Sequence, residues 1–456
     1  IPLRLVGSEM CIRDRFNSAK ADMSPEKITS ADMGYIFEEL IRKFSESYDE
    51  QAGAHFTSRD IIYLMTELLV APEKAEIMEE GCTKTAYDMA MGTSQMLGCL
   101  TERLQDISED AALTCFGQEF NPETYAIAKA DMLIKGGNAS GMQYGDTLSD
   151  DAFTGYEFDY IISNPPFGID WKREKTQVEA EAKKGFDGRF GPGLPAISDG
   201  QMLFMLNGVK KLKPGSGRMA IIQNGSSLFT GDAGSGASEI RRYVIEGDLV
   251  EAIIQLPTDL FYNTGISTYI WVITKGKPIH RGGKVQLIDA SKCFVKRRKN
   301  IGSKRVDLDD ACIDLILRAY EGFVDETYEE NGLAVESKVF DNSFFGFTKV
   351  TVETAQADAK GKPVLKKGKK QPVKGASDTE IIPLSEDRDT YMKKNVLPYN
   401  PLAYIDPAKD KIGYEVPFTR LFYKFTQPTP SAEIFEEIKA LEDEETILMK
   451  ELFGNA

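Results

Sequence analysis

Apolar positions recur at helical spacing near the start of the chain. Ile36, Leu40 and Phe44 stand four apart, and Ile61, Leu64, Met65, Leu68 and Leu69 repeat the pattern after a break. The break, QAGAHFTSRD, holds Gly53 as an interrupter, with Thr57 or Ser58 as a cap for the next helix. The rhythm then changes to short apolar runs. Strands are predicted over 85–88, 113–117, 158–162, 218–222, 250–254 and 267–273, with helices over 95–104 and 126–133 between them. Strands and helices alternating over about 200 residues predict a doubly wound α/β domain with a mainly parallel sheet.

Outside that region the pattern is weaker. Residues 172–200 are polar and glycine-rich, a length of loop that points to function or motion. A basic run fills 292–305, a helix is predicted over 310–320, and 398–430 is rich in proline and aromatics. Ser431 can cap a last amphipathic helix bearing Ile434, Ile438, Leu441, Leu448 and Leu452. The predicted division is 1–15 as a non-native scar, 16–80 as a helical lead-in, and 81–290 as the α/β domain. A basic and helical extension follows at 291–354, a linker or extended loop at 355–380, and a partner-docking region at 381–456. The scar reading rests on IPLRLVGSEMCIRDR, which has neither periodicity nor the apolar stretch of a secretory signal.

Composition narrows the chemistry. The 55 Lys and Arg against 71 Asp and Glu give a net charge of −16, which opposes independent grip on a polyanion. A nucleic-acid substrate would need a basic partner or a local basic groove. With two histidines, His55 and His280, and six cysteines without a CxxC pair, neither a zinc site nor imidazole catalysis is expected. No apolar run is long enough to span a bilayer, and the thiols suit a reducing cytoplasm.

The sharpest motif is Ser163-Asn164-Pro165-Pro166-Phe167-Gly168, directly after the strand FDYII. Two prolines end the strand, so these residues project at the carboxyl edge of the sheet, where open α/β sheets bind ligands. The Asn164 side-chain oxygen and the Pro165 carbonyl are two acceptors suited to an exocyclic amine, and Phe167 offers a face for a planar ring.

This segment resembles the [D/N/S]-P-P-[F/Y/W] motif of amino-group DNA methyltransferases that use S-adenosylmethionine. More closely, the chain is similar to the modification subunit of Type I restriction–modification systems, which methylates the N6 amine of adenine. GYIFEELIRKFSE, QAGAHFTSRD, IRRYVIEGDLVEAIIQLPTDLFYNTGISTYIWVITK and GYEVPFTRLFYKF carry the likeness. The resemblance implies a seven-stranded Rossmann-like domain with remnant N-terminal helices, most of a helical N-terminal domain being absent, and a C-terminal extension ending in a helix. It assigns Asn164, Pro165, Pro166 and Phe167 to catalysis. To the cofactor it assigns Phe56 and Thr57, the loop Asp88, Gly92, Thr93 and Ser94, the pair Glu119 and Asn121, and Asp146 with Thr147. Met89 and Ser94 depart from the family's Pro and Gly. No metal is implied. The implied partners are double-stranded DNA with its target base flipped, a DNA-specificity subunit and a restriction/translocase subunit, with two copies of this chain per complex in the cytoplasm. The alternatives are an amine methyltransferase acting on cytosine, RNA or protein glutamine, a non-catalytic assembly subunit, and, least favoured, a dinucleotide-dependent dehydrogenase, for which GxGxxG is missing.

Overall fold

The computed structural model describes Lys27 and residues 57–262, 264–366, 368–425 and 428–454. The scar reading of 1–15, the helix over 36–44 and the assignment of Phe56 lie outside them. The chain divides into a unit ending at Pro417 and a second running from Phe418.

In the first unit, seven strands form the expected α/β sheet: β1 (Thr83–Asp88), β2 (Ala112–Glu119), β3 (Met142–Tyr144), β4 (Tyr160–Ser163), β5 (Arg218–Asn224), β6 (Val250–Gln255) and β7 (Thr268–Thr274). Their order is β3-β2-β1-β4-β5-β7-β6, with only β7 antiparallel to its neighbours. The sheet does not stop there. β8 (Lys284–Asp289) pairs with β6, and β12 (Leu333–Asp341) and β11 (Glu326–Glu330) follow, making ten strands. Between them lies an antiparallel hairpin, β9 (Val295–Ile301) and β10 (Lys304–Asp307), which holds most of the basic run.

Period-two alternation divides the sheet residues between two faces. Tyr160, Ile162, Ala220, Ile222, Ile254 and Val272 share one core cluster with α1 (Arg59–Val70), α2 (Gln95–Ile107) and α6 (Asp310–Gly322). The intervening Ile161, Met219 and Ile253 are equally buried but stand outside that cluster. Residue Gly208 of α5 (Gln201–Lys211) lies close to Met219, a side chain of this second face.

Three stretches differ from the sequence reading. The polar segment 172–200 is tied down: it contains α4 (Lys175–Ala182), and buried Arg189 binds Glu181, the Asn207 side chain and the carbonyls of Thr147 and Leu148. Within 355–380, Pro372–Pro383 is a strand paired with β13 (Gly346–Ala355). Its side chains stay mostly exposed, so backbone pairing forms it without an apolar stripe. The final helix, Ser431–Phe453 in the second unit, starts at Ser431 rather than being capped by it, because Pro430 holds the cap position.

Candidate active site

Three parallel strands, β1, β2 and β4, end side by side, and each delivers one polar group at its carboxyl end. β1 ends in Asp88, β2 in Glu119, and β4 in Ser163 followed by Asn164. They open onto a cavity of about 620 Å³, within the ~300–1,000 Å³ typical of small-molecule sites.

Asp88 is buried. Its Oδ1 accepts from the Ser163 hydroxyl at 2.7 Å and from the Ala90 amide at 3.1 Å. Burial pushes its carboxyl up to about 7; those two hydrogen bonds oppose the shift and the Glu119 charge adds to it. The loop after Asp88 turns through two left-handed residues, Gly92 (φ 53°) and Ser94 (φ 67°). Glycine takes that geometry freely, whereas Ser94 holds it at a cost of roughly 1–2 kcal/mol. Met89 is buried; its carbonyl accepts from the Thr147 hydroxyl at 2.6 Å and its sulfur from the Asn207 amide at 3.6 Å.

Glu119 is held by backbone donors on both oxygens. Gly92 N–H reaches Oε2 at 2.9 Å and Asn121 N–H reaches Oε1 at 2.8 Å. A carboxylate has about four acceptor sites, so capacity remains for ligand hydroxyls. The Asn121 side chain caps α3 (Pro122–Ile134), accepting from Glu123 and Thr124. Asp146 likewise accepts from the Leu148 and Ser149 amides, and its charge adds to the burial that raises the Glu174 carboxyl.

Asn164 is arranged in a telling way. Its Nδ2 donates to the Thr57 hydroxyl at 3.0 Å, whereas its Oδ1 is buried with no hydrogen-bond partner. A buried acceptor without a partner is costly, about 1–3 kcal/mol, which marks Oδ1 as a position suited to a donor.

The model of the N-6 DNA Methylase family matches residues 29–357. The chain belongs to that family. Among its relatives, this N-6 DNA methylase family member is 27% identical over 274 residues to the Type I restriction enzyme MjaIX methylase subunit of Methanocaldococcus jannaschii, covering 59% of this chain and 46% of that protein. It is 26% identical over 343 residues to the HindI methylase subunit of Haemophilus influenzae, covering 74% and 71%. The solved type I restriction-modification system methyltransferase subunit from Streptococcus thermophilus superposes with a TM-score of 0.51 at 27% identity, over 63% of this chain and 55% of that one. The chain spans about half the length of most of the curated relatives it matches.

In this family member, Thr57, Asp88, Gly92, Thr93, Glu119, Asn121, Asp146, Thr147, Asn164 and Pro166 all border the cavity. Ser94 and Pro165 are buried behind it, and Phe167 is half-buried against the core cluster rather than on the lining. Sequence reading missed Phe120, Trp171, Arg173, Glu174 and Phe204, which complete the wall. Phe120 could have been found from its place directly after the strand-end acid. Trp171, fixed through Nε1 to the Ala196 carbonyl at 3.0 Å, sits in the glycine-rich segment and carries no periodic signal. No cluster of metal-ligating side chains occurs among the described residues. None of the described helices is long and apolar enough to cross a membrane.

Proposed function

We propose that this chain transfers a methyl group from S-adenosylmethionine to the N6 amine of adenine in double-stranded DNA, as the modification subunit of a Type I restriction–modification complex. The unpartnered Oδ1 of Asn164 carries the reading. It is a buried acceptor without a partner at a strand end beside the cavity, and an exocyclic amine is the donor that the motif is suited to receive.

The residues present fit the cofactor. Glu119 offers spare carboxylate lone pairs for ribose hydroxyls, Asp146 stands at the position assigned to the adenine amine, and Gly92 permits close backbone approach. When bound, S-adenosylmethionine supplies a methyl group on a sulfonium already activated for transfer. The chain's own work is positioning. Adenine in a duplex hides its amine in pairing, so the base is flipped out before it reaches the cavity. Asn164 Oδ1 accepts a hydrogen bond from one amine N–H and the Pro165 carbonyl from the other, which turns the nitrogen lone pair outward without a strong base; once the nitrogen carries the methyl group it loses one proton to solvent. Thr57 keeps the Asn164 amide from rotating. Orientation of this kind supplies up to about 7–11 kcal/mol of a barrier. The stacking role of Phe167 rests on the motif alone.

DNA targeting is assigned to a specificity subunit, because a net charge of −16 opposes unaided binding. The exposed Ile434, Ile438, Leu441 and Leu448 of the last helix are the assigned contact for it. A restriction/translocase subunit and two copies of this chain complete the proposed cytoplasmic complex. The test is co-expression with the neighbouring specificity subunit in a methylation-free bacterium, followed by mapping of modified bases. N6-methyladenine at one split motif is expected. An unmodified genome with both proteins present in purified form overturns the reading; methylated cytosine redirects it to another amine.

A further inference from the structure

The hairpin β9–β10 is an electrostatic exception in an acidic chain. Residues 292–305 contain seven Lys and Arg and no Asp or Glu. Two of the seven are engaged: Arg297 pairs with Asp307 at 2.5 Å, and Lys304 is buried. The other five, Lys292, Lys296, Arg298, Lys299 and Arg305, are exposed. None of these five has an ion-pair partner among the described residues. Asp307 of β10 is already engaged by Arg297 and Lys304, so the five exposed cations leave the hairpin with a net positive surface that is complementary to a polyanion.

Lys304 shows where the hairpin is fastened. Its Nζ donates to the Ser58 hydroxyl at 3.1 Å, the Leu260 carbonyl at 3.1 Å and Asp60 at 2.9 Å. Asp60 also accepts from the Leu308 amide at 3.0 Å, closing the joint from the far side of the hairpin. Ser58 adjoins Thr57, which borders the cavity and holds the Asn164 amide. The hairpin is therefore bolted to the element that orients the reacting-end amide, one residue from the cavity wall. Ser58 stands at the N-cap of α1 but makes no side-chain cap bond; its hydroxyl serves this joint instead.

We infer that the β9–β10 hairpin grips the phosphate backbone of the duplex beside the target base. Lys296 and Arg298 leave the strand about 6.6 Å apart, close to two base-pair rises of about 3.4 Å on one DNA strand. Lys304 acts as a positioning residue that keeps this grip in register with Thr57 and Asn164. The inference rests on the reading of the chain as a DNA methylase and adds the surface by which it meets its substrate.

The experiment uses the full chain assembled with the neighbouring specificity subunit and a fluorescent duplex, with affinity followed between about 50 and 200 mM KCl. The triple variant Lys296→Gln, Arg298→Gln, Lys299→Gln is compared with Lys360→Gln, Lys362→Gln, Lys366→Gln, which changes net charge equally at exposed residues elsewhere. Each lost phosphate contact lowers the slope of log affinity against log salt by about 0.9. The hairpin variant should lose about 2.7 of slope while the control keeps it, and S-adenosylmethionine binding without DNA should stay unchanged in both. Equal slopes in wild type and hairpin variant overturn the inference, as does an equal loss in hairpin variant and control. A wild type that takes up S-adenosylmethionine but shows no salt-dependent duplex binding overturns the hairpin and leaves the cofactor reading standing. A wild type that takes up neither overturns both.

Discussion

Asn164→Ala tests the proposed role of the unpartnered Oδ1 apart from the bond to Thr57. In the folded protein the side chain makes one hydrogen bond, from Nδ2 to Thr57, and leaves Oδ1 buried and unmatched. Losing the first costs about 1 kcal/mol, and removing the second returns about 1–3 kcal/mol of desolvation penalty. A small loss of packing offsets part of that return. The net change in stability is therefore within about 1 kcal/mol, and the melting temperature should move by less than about 3 °C. On the proposed mechanism methyl transfer behaves differently, because the substrate amine loses one of its two acceptors. By comparison with removal of one preorganised polar group, turnover should fall ~10²–10³-fold. The assay is transfer of labelled methyl to duplex DNA by the assembled complex, beside a thermal melt of the chain. Turnover within about fivefold of wild type would refute the reasoning, and so would a large melting loss running in parallel with the activity loss, which would mark Asn164 as a structural residue.

Three further outcomes follow from the same geometry. Glu119→Gln replaces one acceptor oxygen by a donor that faces a backbone N–H, so S-adenosylmethionine affinity by calorimetry should fall about 10–100-fold, corresponding to about 1.5–3 kcal/mol; unchanged affinity would remove Glu119 from the cofactor site. Asp88 has a folded-state value raised from 3.8 to about 7, so the folded protein binds more protons than the unfolded chain between those values. Its burial carries no penalty below about 4 and the full penalty above about 7, on the order of 4 kcal/mol; stability thus falls with rising pH across that window, and Asp88→Asn should flatten this part of the profile. Finally, Glu251→Ala strands two buried guanidiniums, Arg218, whose Nη2 reaches Glu251 at 2.8 Å, and Arg281 at 3.3 Å. Denaturant unfolding should show a loss of about 3–5 kcal/mol, and a loss below about 1 kcal/mol would show that Tyr320, also bonded to Arg218 at 2.7 Å, suffices.

The central strands were legible because each is a short apolar run that lies fully inside the sheet, as in β4 and β7. The motif after β4 was legible for a local reason: two prolines must end a strand, so Asn164 had to stand at the carboxyl edge. Elements at the margins gave weaker signals. β3 has three residues and only Met142 is buried, while β12 is mostly half-buried beneath an outer strand. Helix α5 hid for the opposite reason. It is buried on nearly every side, Asn207 and Lys211 included, so no polar stripe marks a 3.6-residue period. The use of Lys304 was unreadable because its partners Ser58 and Asp60 lie 246 and 244 residues away in sequence. In the sequence it is one cation in a charged run.

The extension of the sheet beyond β6 has a consequence for cutting the protein down. A fragment ending after β7, where the alternating α/β pattern stops, would hold all seven strands of the expected fold. It would also leave the edge of β6 uncovered, because β8 pairs there in parallel from Ala252 to Gln255. That edge belongs to a strand buried over nearly its whole length, and a bare apolar edge is a template for strand addition by a second chain. β8 alone moves the problem one strand outward. Only the hairpin of β12 and β11 closes the series, with the polar segment ETYEE as its last strand. The smallest piece that should stay dispersed in water therefore runs through Asp341, and shorter ones should form filaments or precipitate.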